Sequence, residues 1–500
     1  MPSLHCLVED DCQAERPGRT RFARARLLAP AVAALVLGAC GGSKKSITPP
    51  PSGVVASISV APTTTTMVIG DTLRFVATLY DNASNILTGD TVTWTSSDSS
   101  IATVTDSGTV TAVATGKATI TATSKGILGT ATVTVTPPST KAFTSVTAVA
   151  AGFAHTCALV TGGAAYCWGS NASGQLGNDT TGISPFPLAV SGGLTFASIT
   201  AGYSHTCALT SAGAAYCWGD NTNGALGAAT ANATSGPPVA VSGGITFTMI
   251  SAGYSHTCGV ATTGSAYCWG SNESGELGNG TVGQDSPTPA LVSGGLTFAS
   301  VSAGGVYTCG VTTAGAGYCW GSNGYGVLGD GTTTDSPVPV QVAGGLQLAS
   351  ISAGVYHTCA VTVNGAAYCW GEAGNGQLGT GLTSLSSSTP LAVAGGHTFA
   401  SIAVGELSTC AVTTAGAGYC WGSGSFGSLG NGSTDQADSP VAVSGSLALT
   451  SVSAGISFHA CGLDTGNTIY CWGYDNSGEL GLGTAGGFSA TPQQVVVPNN

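Results

Sequence analysis

From His155 to Gly177 the chain reads HTCALVTGGAAYCWGSNASGQLG, and variants of that stretch return six more times. Its markers are two cysteines ten residues apart with a tryptophan behind the second. They are Cys157 and Cys167 before Trp168, then Cys207 and Cys217 before Trp218, Cys258 and Cys268 before Trp269, and Cys309 and Cys319 before Trp320. The series ends with Cys359 and Cys369 before Trp370, Cys410 and Cys420 before Trp421, and Cys461 and Cys471 before Trp472. A fixed period of about 50 residues means that each unit buries its apolar faces against its neighbours. Each unit holds four short runs suited to strands. In the second unit these are 196–200, 205–210, 214–218 and 238–241, the last reached through a long polar loop. Seven units of four strands predict an all-β, seven-bladed β-propeller over residues 142–500.

The hairpin inside each unit fixes its own register. A three-residue loop such as Thr161-Gly162-Gly163 needs a left-handed residue at its third position, normally glycine. That position holds Gly163, Gly213, Gly264, Gly315, Gly365, Gly416 and Asn467. Counting outward sets each cysteine pair at a non-hydrogen-bonded site, where α-carbons lie close enough to bridge. Seven intrablade disulfides follow for a chain in an oxidising compartment. Zinc is disfavoured, because zinc sites use close C-x-x-C knuckles and mixed histidine ligands.

Charge narrows the function. All eleven Lys and Arg lie at or before Lys141, so residues 142–500 carry fourteen Asp and Glu and no Lys or Arg. Phosphate recognition depends on Lys and Arg, so nucleic acid and anionic lipid are excluded as expected partners of the repeats. Catalysis on sugars would want paired carboxylates, and only Glu273 and Glu276 offer a pair, in a variable loop. A propeller-based polysaccharide lyase or hydrolase is therefore the weaker alternative to a binding role, and no catalytic residue, cofactor or metal is expected. The acidic loops at Asp285, at Asp330 and Asp335, and at Asp435 and Asp438 lack the spacing of a calcium loop.

The N-terminus addresses the compartment. Five arginines between Arg16 and Arg26 precede the apolar run 27–37, which fits a secretory signal and is too short to span a bilayer. Leu37-Gly38-Ala39-Cys40 resembles the lipobox of bacterial lipoproteins. The resemblance implies removal of residues 1–39, diacylation of Cys40 and a membrane anchor, with Gly41 compatible with outer-membrane sorting. Cys6 and Cys12 would be discarded, residues 40–53 form a tether, and the mature chain is expected to be extracytoplasmic.

Residues 54–137 alternate apolar and polar residues in seven short runs, the pattern of a β-sandwich. The sequence VTWTSSDSSIATVTDSGTVTAVATGKATITATS resembles the bacterial Ig-like domain of group 2, through Trp94, Ile101, Ala102, Val104, Gly108, Val110, Gly116 and Ile120 among others. Trp94 reads as core. The repeat wording, H-T-C-A-L through Y-C-W-G-x-N-x-x-G-x-L-G and then D-S-P-x-P, resembles the regulator of chromosome condensation repeat family. That resemblance implies the propeller. It does not carry over the nucleotide exchange of eukaryotic members to an acidic, exported chain.

His155, His205, His256, His357 and His459 share one repeat position, replaced by Tyr307 and Ser408 elsewhere. They invite a metal, but within the family pattern they are expected as blade core, bonded to backbone. Function belongs instead where equivalent loop positions diverge. After each Ala-Gly turn stand Phe153, Tyr203, Tyr254, Gly305, Val355, Glu406 and Ile456, and in the tetrad after Trp-Gly stand Tyr325, Phe426 and Tyr474. The six aromatics are the candidate contacts for a protein partner, with packing on a neighbouring blade as the other reading.

Overall fold

The computed structural model describes residues 53–229, 234–382 and 386–499. The signal segment, Cys40 and the tether before residue 53 lie outside the described residues.

Seven four-stranded antiparallel sheets follow one another along the chain, each built from consecutive strands. Blade 1 comprises Val146–Ala151, His155–Val160, Ala165–Gly169 and Ser184–Ala189; blade 2 comprises Ser198–Ala201, His205–Leu209, Ala215–Asp220 and Thr234–Ala240. The fourth strand of blade 2 thus starts earlier than its apolar residues suggest, because backbone pairing reaches back to Thr234 against Asp220. First strands contact first strands from blade to blade, and that of blade 1 contacts that of blade 7, so they surround the axis. The ring closes within whole blades. A separate antiparallel pair, Thr140–Ala142 with Val496–Pro498, clasps its two ends.

Each repeat motif has a packing reason. The seven tryptophans are fully buried. Each indole donates to a backbone carbonyl of the preceding blade, as Trp218 does to Gln175 at 2.9 Å and Trp168 to Glu479 at 2.8 Å. The glycine of Leu-Gly leaves room for that ring: a Cβ on Gly177 would stand 2.7 Å from the Trp218 indole nitrogen. The Asn of W-G-x-N accepts the N–H of that same Leu, at 2.9 Å for Asn171 and Leu176, and so clamps the loop.

The cysteines face each other in register in every blade. Cys157 is bonded to Cys167, Cys207 to Cys217, Cys258 to Cys268 and Cys309 to Cys319. Cys359 is likewise bonded to Cys369, Cys410 to Cys420 and Cys461 to Cys471. Their α-carbons lie 4.0–4.1 Å apart, as close as a non-hydrogen-bonded site brings them. The third loop residue has positive φ in all seven hairpins, Asn467 included at 60°.

The N-terminal unit has ten strands in three sheets rather than seven strands. The additional strands include Thr64–Val68, which pairs in parallel with Ile127–Thr136, and the short Ile86–Leu87. Its core gathers Val60, Phe75, Val110, Ile120 and Val133, with Trp94 partly buried against it.

Candidate functional site

Strand direction sorts the loops. In each blade the turn between strands one and two and the loop between strands three and four fall on one rim, while the cysteine hairpins fall on the other. Every candidate aromatic lies in the first set. At the axis the repeated glycines form a collar: Phe153, Tyr203, Tyr254, Gly305 and Ile456 donate their backbone N–H to Gly202, Gly253, Gly304, Gly354 and Gly152 of adjoining blades at 3.0–3.1 Å. A Cβ on Gly253 would sit 2.5 Å from the Gly304 carbonyl oxygen, so the collar tolerates no side chain there.

The collar fixes the residues beyond it. Phe153 and Tyr203 stand 4.1 Å apart between ring centroids, and Tyr203 stacks on Tyr254 at 4.0 Å. Beyond Tyr254 a recess of about 280 Å³ opens toward Tyr325, Val355 and Tyr356, and Tyr325 meets Tyr356 edge-on at 5.5 Å. Beyond Phe153 a second recess of about 300 Å³ is walled by Glu406, Phe426, Phe458 and Tyr474. Phe426 packs on Tyr474 at 5.0 Å and on Phe458 at 5.5 Å. The six sequence-selected aromatics therefore belong to one band on one rim. They pack on neighbouring blades, and three remain exposed, Tyr254 at 38%, Phe426 at 43% and Tyr325 at 51%, while Phe153, Tyr203 and Tyr474 are half-buried.

Sequence reasoning missed Tyr356, Phe458 and Phe488. Tyr356 is one residue past the position compared. Phe458 follows an inserted residue, since Gly455 precedes His459 by four where Gly152 precedes His155 by three. Phe488 opens the last fourth strand, 6.4 Å from Phe426. Glu406, half-buried beside these rings, has its carboxyl raised above the usual range by burial. Burial, a bond to Tyr203 and then charge from Tyr203 and Glu406 push the Tyr254 hydroxyl up to about 12.

The histidines differ from expectation. Their partner is not backbone but a threonine hydroxyl of the next blade: His155 with Thr206, His205 with Thr257, His256 with Thr308, His357 with Thr409 and His459 with Thr156, at 2.7–3.1 Å. Each threonine donates to the carbonyl that also receives the tryptophan, as Thr206 does to Gln175, so each histidine donates from Nε2. Burial lowers their pKa values to about 3 or 4, which keeps the rings neutral. Where the threonine is replaced by Ala460, the histidine is replaced by Ser408. That internal correlation was legible in the sequence.

The acidic residues are engaged locally. Asp285 accepts from Asn223 and Asn272, and Asp335 from the backbone N–H of Asn323. Both Glu276 oxygens are occupied, by Ser271 and the Ser274 N–H, and the side chain is buried while Glu273 is exposed. The two do not form an open carboxylate pair. Among the described residues no three His, Cys, Asp or Glu converge on a metal position.

Comparison with known proteins agrees with this geometry. The RCC1-like domain matches residues 119–461, an RCC1 repeat matches 449–479, and the bacterial Ig-like domain of group 2 matches 54–136. The ultraviolet-B receptor UVR8 of Arabidopsis thaliana is 33% identical over 358 residues, spanning 70% of this chain and 69% of the receptor. The probable E3 ubiquitin-protein ligase HERC4 of Rattus norvegicus is 32% identical over 245 residues, 48% of this chain but 18% of the ligase. Among solved structures, human WBSCR16 superposes with a TM-score of 0.59 at 20% identity, covering 63% of this chain and 86% of that one. The structure of Kap60 bound to yeast RCC1 (Prp20) also gives 0.59, at 21% identity and 66% and 83% coverage. With its seven stacked repeats and a match spanning most of them, the chain belongs to the RCC1-like domain family, carrying a bacterial Ig-like domain of group 2 ahead of the propeller.

Proposed function

We propose that this chain is a cell-envelope lipoprotein, anchored through Cys40 and probing the extracytoplasmic space, whose propeller recognises a protein partner through the aromatic rim. The observation that carries the reading is the contiguous band of exposed and half-buried aromatics, with Phe153, Tyr203 and Tyr254 on turns held by the glycine collar. Aromatic anchors on preorganised loops are what protein interfaces favour. A solved relative supports it, since yeast RCC1 was crystallised bound to Kap60. The Ig-like unit serves as a stalk between tether and head.

The test is capture of envelope proteins by the full chain with a photo-crosslinker beside the rim. A specific partner should be retained after Leu128→Ser in the Ig-like unit and lost after combined Tyr254→Ser, Tyr325→Ser and Phe426→Ser. Capture indifferent to the rim substitutions would refute the reading. For the anchor, radiolabelled palmitate should label the chain but not its Cys40→Ala variant.

A further inference from the structure

Of the seven residues around the collar only Glu406 is charged. It stands by the recess that holds Phe153 and Phe458, and its field reaches Tyr254 and Tyr356 across the mouth. Glu372 adds a second carboxylate: its backbone N–H donates to the Tyr356 carbonyl, its Oε1 accepts the Gly374 N–H, and its Oε2 is buried without a hydrogen-bond partner. Among the described residues no cationic side chain pairs with either carboxylate. The one ion pair among the described residues, Lys125 with Asp90, is in the Ig-like unit, and residues 142–500 contain no Lys or Arg. Three tyrosine rings, Tyr254, Tyr325 and Tyr356, wall the adjoining recess, whose volume suits one side chain rather than a folded loop. Aromatic faces attract cations most strongly where water is displaced, and a carboxylate alongside adds a charge-assisted hydrogen bond.

Resting on the protein-recognition reading above, we infer that the recess between Tyr254, Tyr325 and Tyr356 receives the cationic end of a lysine or arginine side chain from the partner protein, with Glu406 and Glu372 as its counter-charges. The aromatic band supplies apolar contact area; the recess sets which residue of the partner is anchored. An apolar partner surface would cover the neighbourhood of both carboxylates without supplying a counter-charge, which disfavours such partners.

The test titrates the full chain, with ring-labelled tyrosines, against N-acetyl-arginine methylamide and N-acetyl-lysine methylamide, using the citrulline and norleucine analogues as neutral controls. Saturable shifts at Tyr254, Tyr325 and Tyr356 are expected for at least one cationic probe, with its neutral analogue about tenfold weaker. Glu406→Gln should weaken the cationic probe by a similar factor without lowering the melting temperature. Equal binding of the neutral analogue, or no effect of Glu406→Gln, would overturn the inference. So would binding of tetramethylammonium with neither amino-acid probe bound, which marks a site for free organic cations. These outcomes leave capture of the partner by the unaltered chain intact, whereas capture indifferent to the rim aromatics removes the wider reading itself.

Discussion

Acid should loosen this propeller, and the buried histidines say by how much. Each has a folded pKa of about 3 or 4 against an ordinary value of 6.5. The unfolded chain therefore binds protons first as pH falls, and stability present above pH 6.5 is lost on the way down to the folded values. At pH 5 each ring costs about 2 kcal/mol relative to pH 7, so five cost about 10 kcal/mol. Two buried carboxyls act in the opposite direction. Burial raises Glu479 to about 7 and Asp475 to about 6, so their protonation favours the folded state and returns about 3 kcal/mol over the same interval. The net loss of about 7 kcal/mol is comparable to the whole stability of many domains. Urea titrations at pH 7, 6 and 5, followed by fluorescence of the seven buried tryptophans, should show the midpoint falling steeply. His256→Gln keeps a donor toward Thr308 but cannot titrate, and should remove about 2 kcal/mol of the loss. A midpoint unchanged from pH 7 to pH 5, or an identical loss in the variant, would refute the assignment of neutral, blade-bridging rings.

Two further outcomes test the architecture. Gly253→Ala drives a Cβ into the Gly304 carbonyl, so it should cost about 3 kcal/mol in denaturant titration, while Gly182→Ala, with open space around it, should be neutral. Between blades 6 and 7 the histidine–threonine bond is missing, and Ser408→His with Ala460→Thr should restore it. The double variant should exceed the sum of the singles by about 1 kcal/mol; strict additivity would count against the bridge.

What the sequence disclosed depended on whether one repeat sufficed to read it. The hairpin register was legible because loop length and the residue at its third position are local matters, and Asn467 follows the rule by adopting the same positive φ as the glycines. The pairing of Cys157 with Cys167, and of its six counterparts, came with that register. The aromatic band was legible in part because Phe153, Tyr203 and Tyr254 share one position in successive units. Contacts between units were less so. His155 finds Thr206 fifty-one residues away, a pairing that only curvature of the ring brings about. Tyr356 and Phe458 escaped because one stands a residue beyond the compared position and the other is displaced by an insertion. Glu406 gained meaning only when the mouth was assembled, since its interest lies in being the one charge among seven neighbours.

The clasp between Thr140–Ala142 and Val496–Pro498 also has a mechanical side. The first strand of blade 1 runs toward the aromatic rim, so the chain enters and leaves the ring at the opposite face, and the Ser139 carbonyl takes the Asn499 N–H at the outer end of the pair. A pull arriving through the N-terminal linker would meet this three-residue ladder before any blade. It would open bond by bond from that end like a zipper, while each blade behind it stays crosslinked across its middle strands. The clasp thus acts as a fuse: under tension the ring would yield first at its seam, on the side turned away from the aromatic mouth.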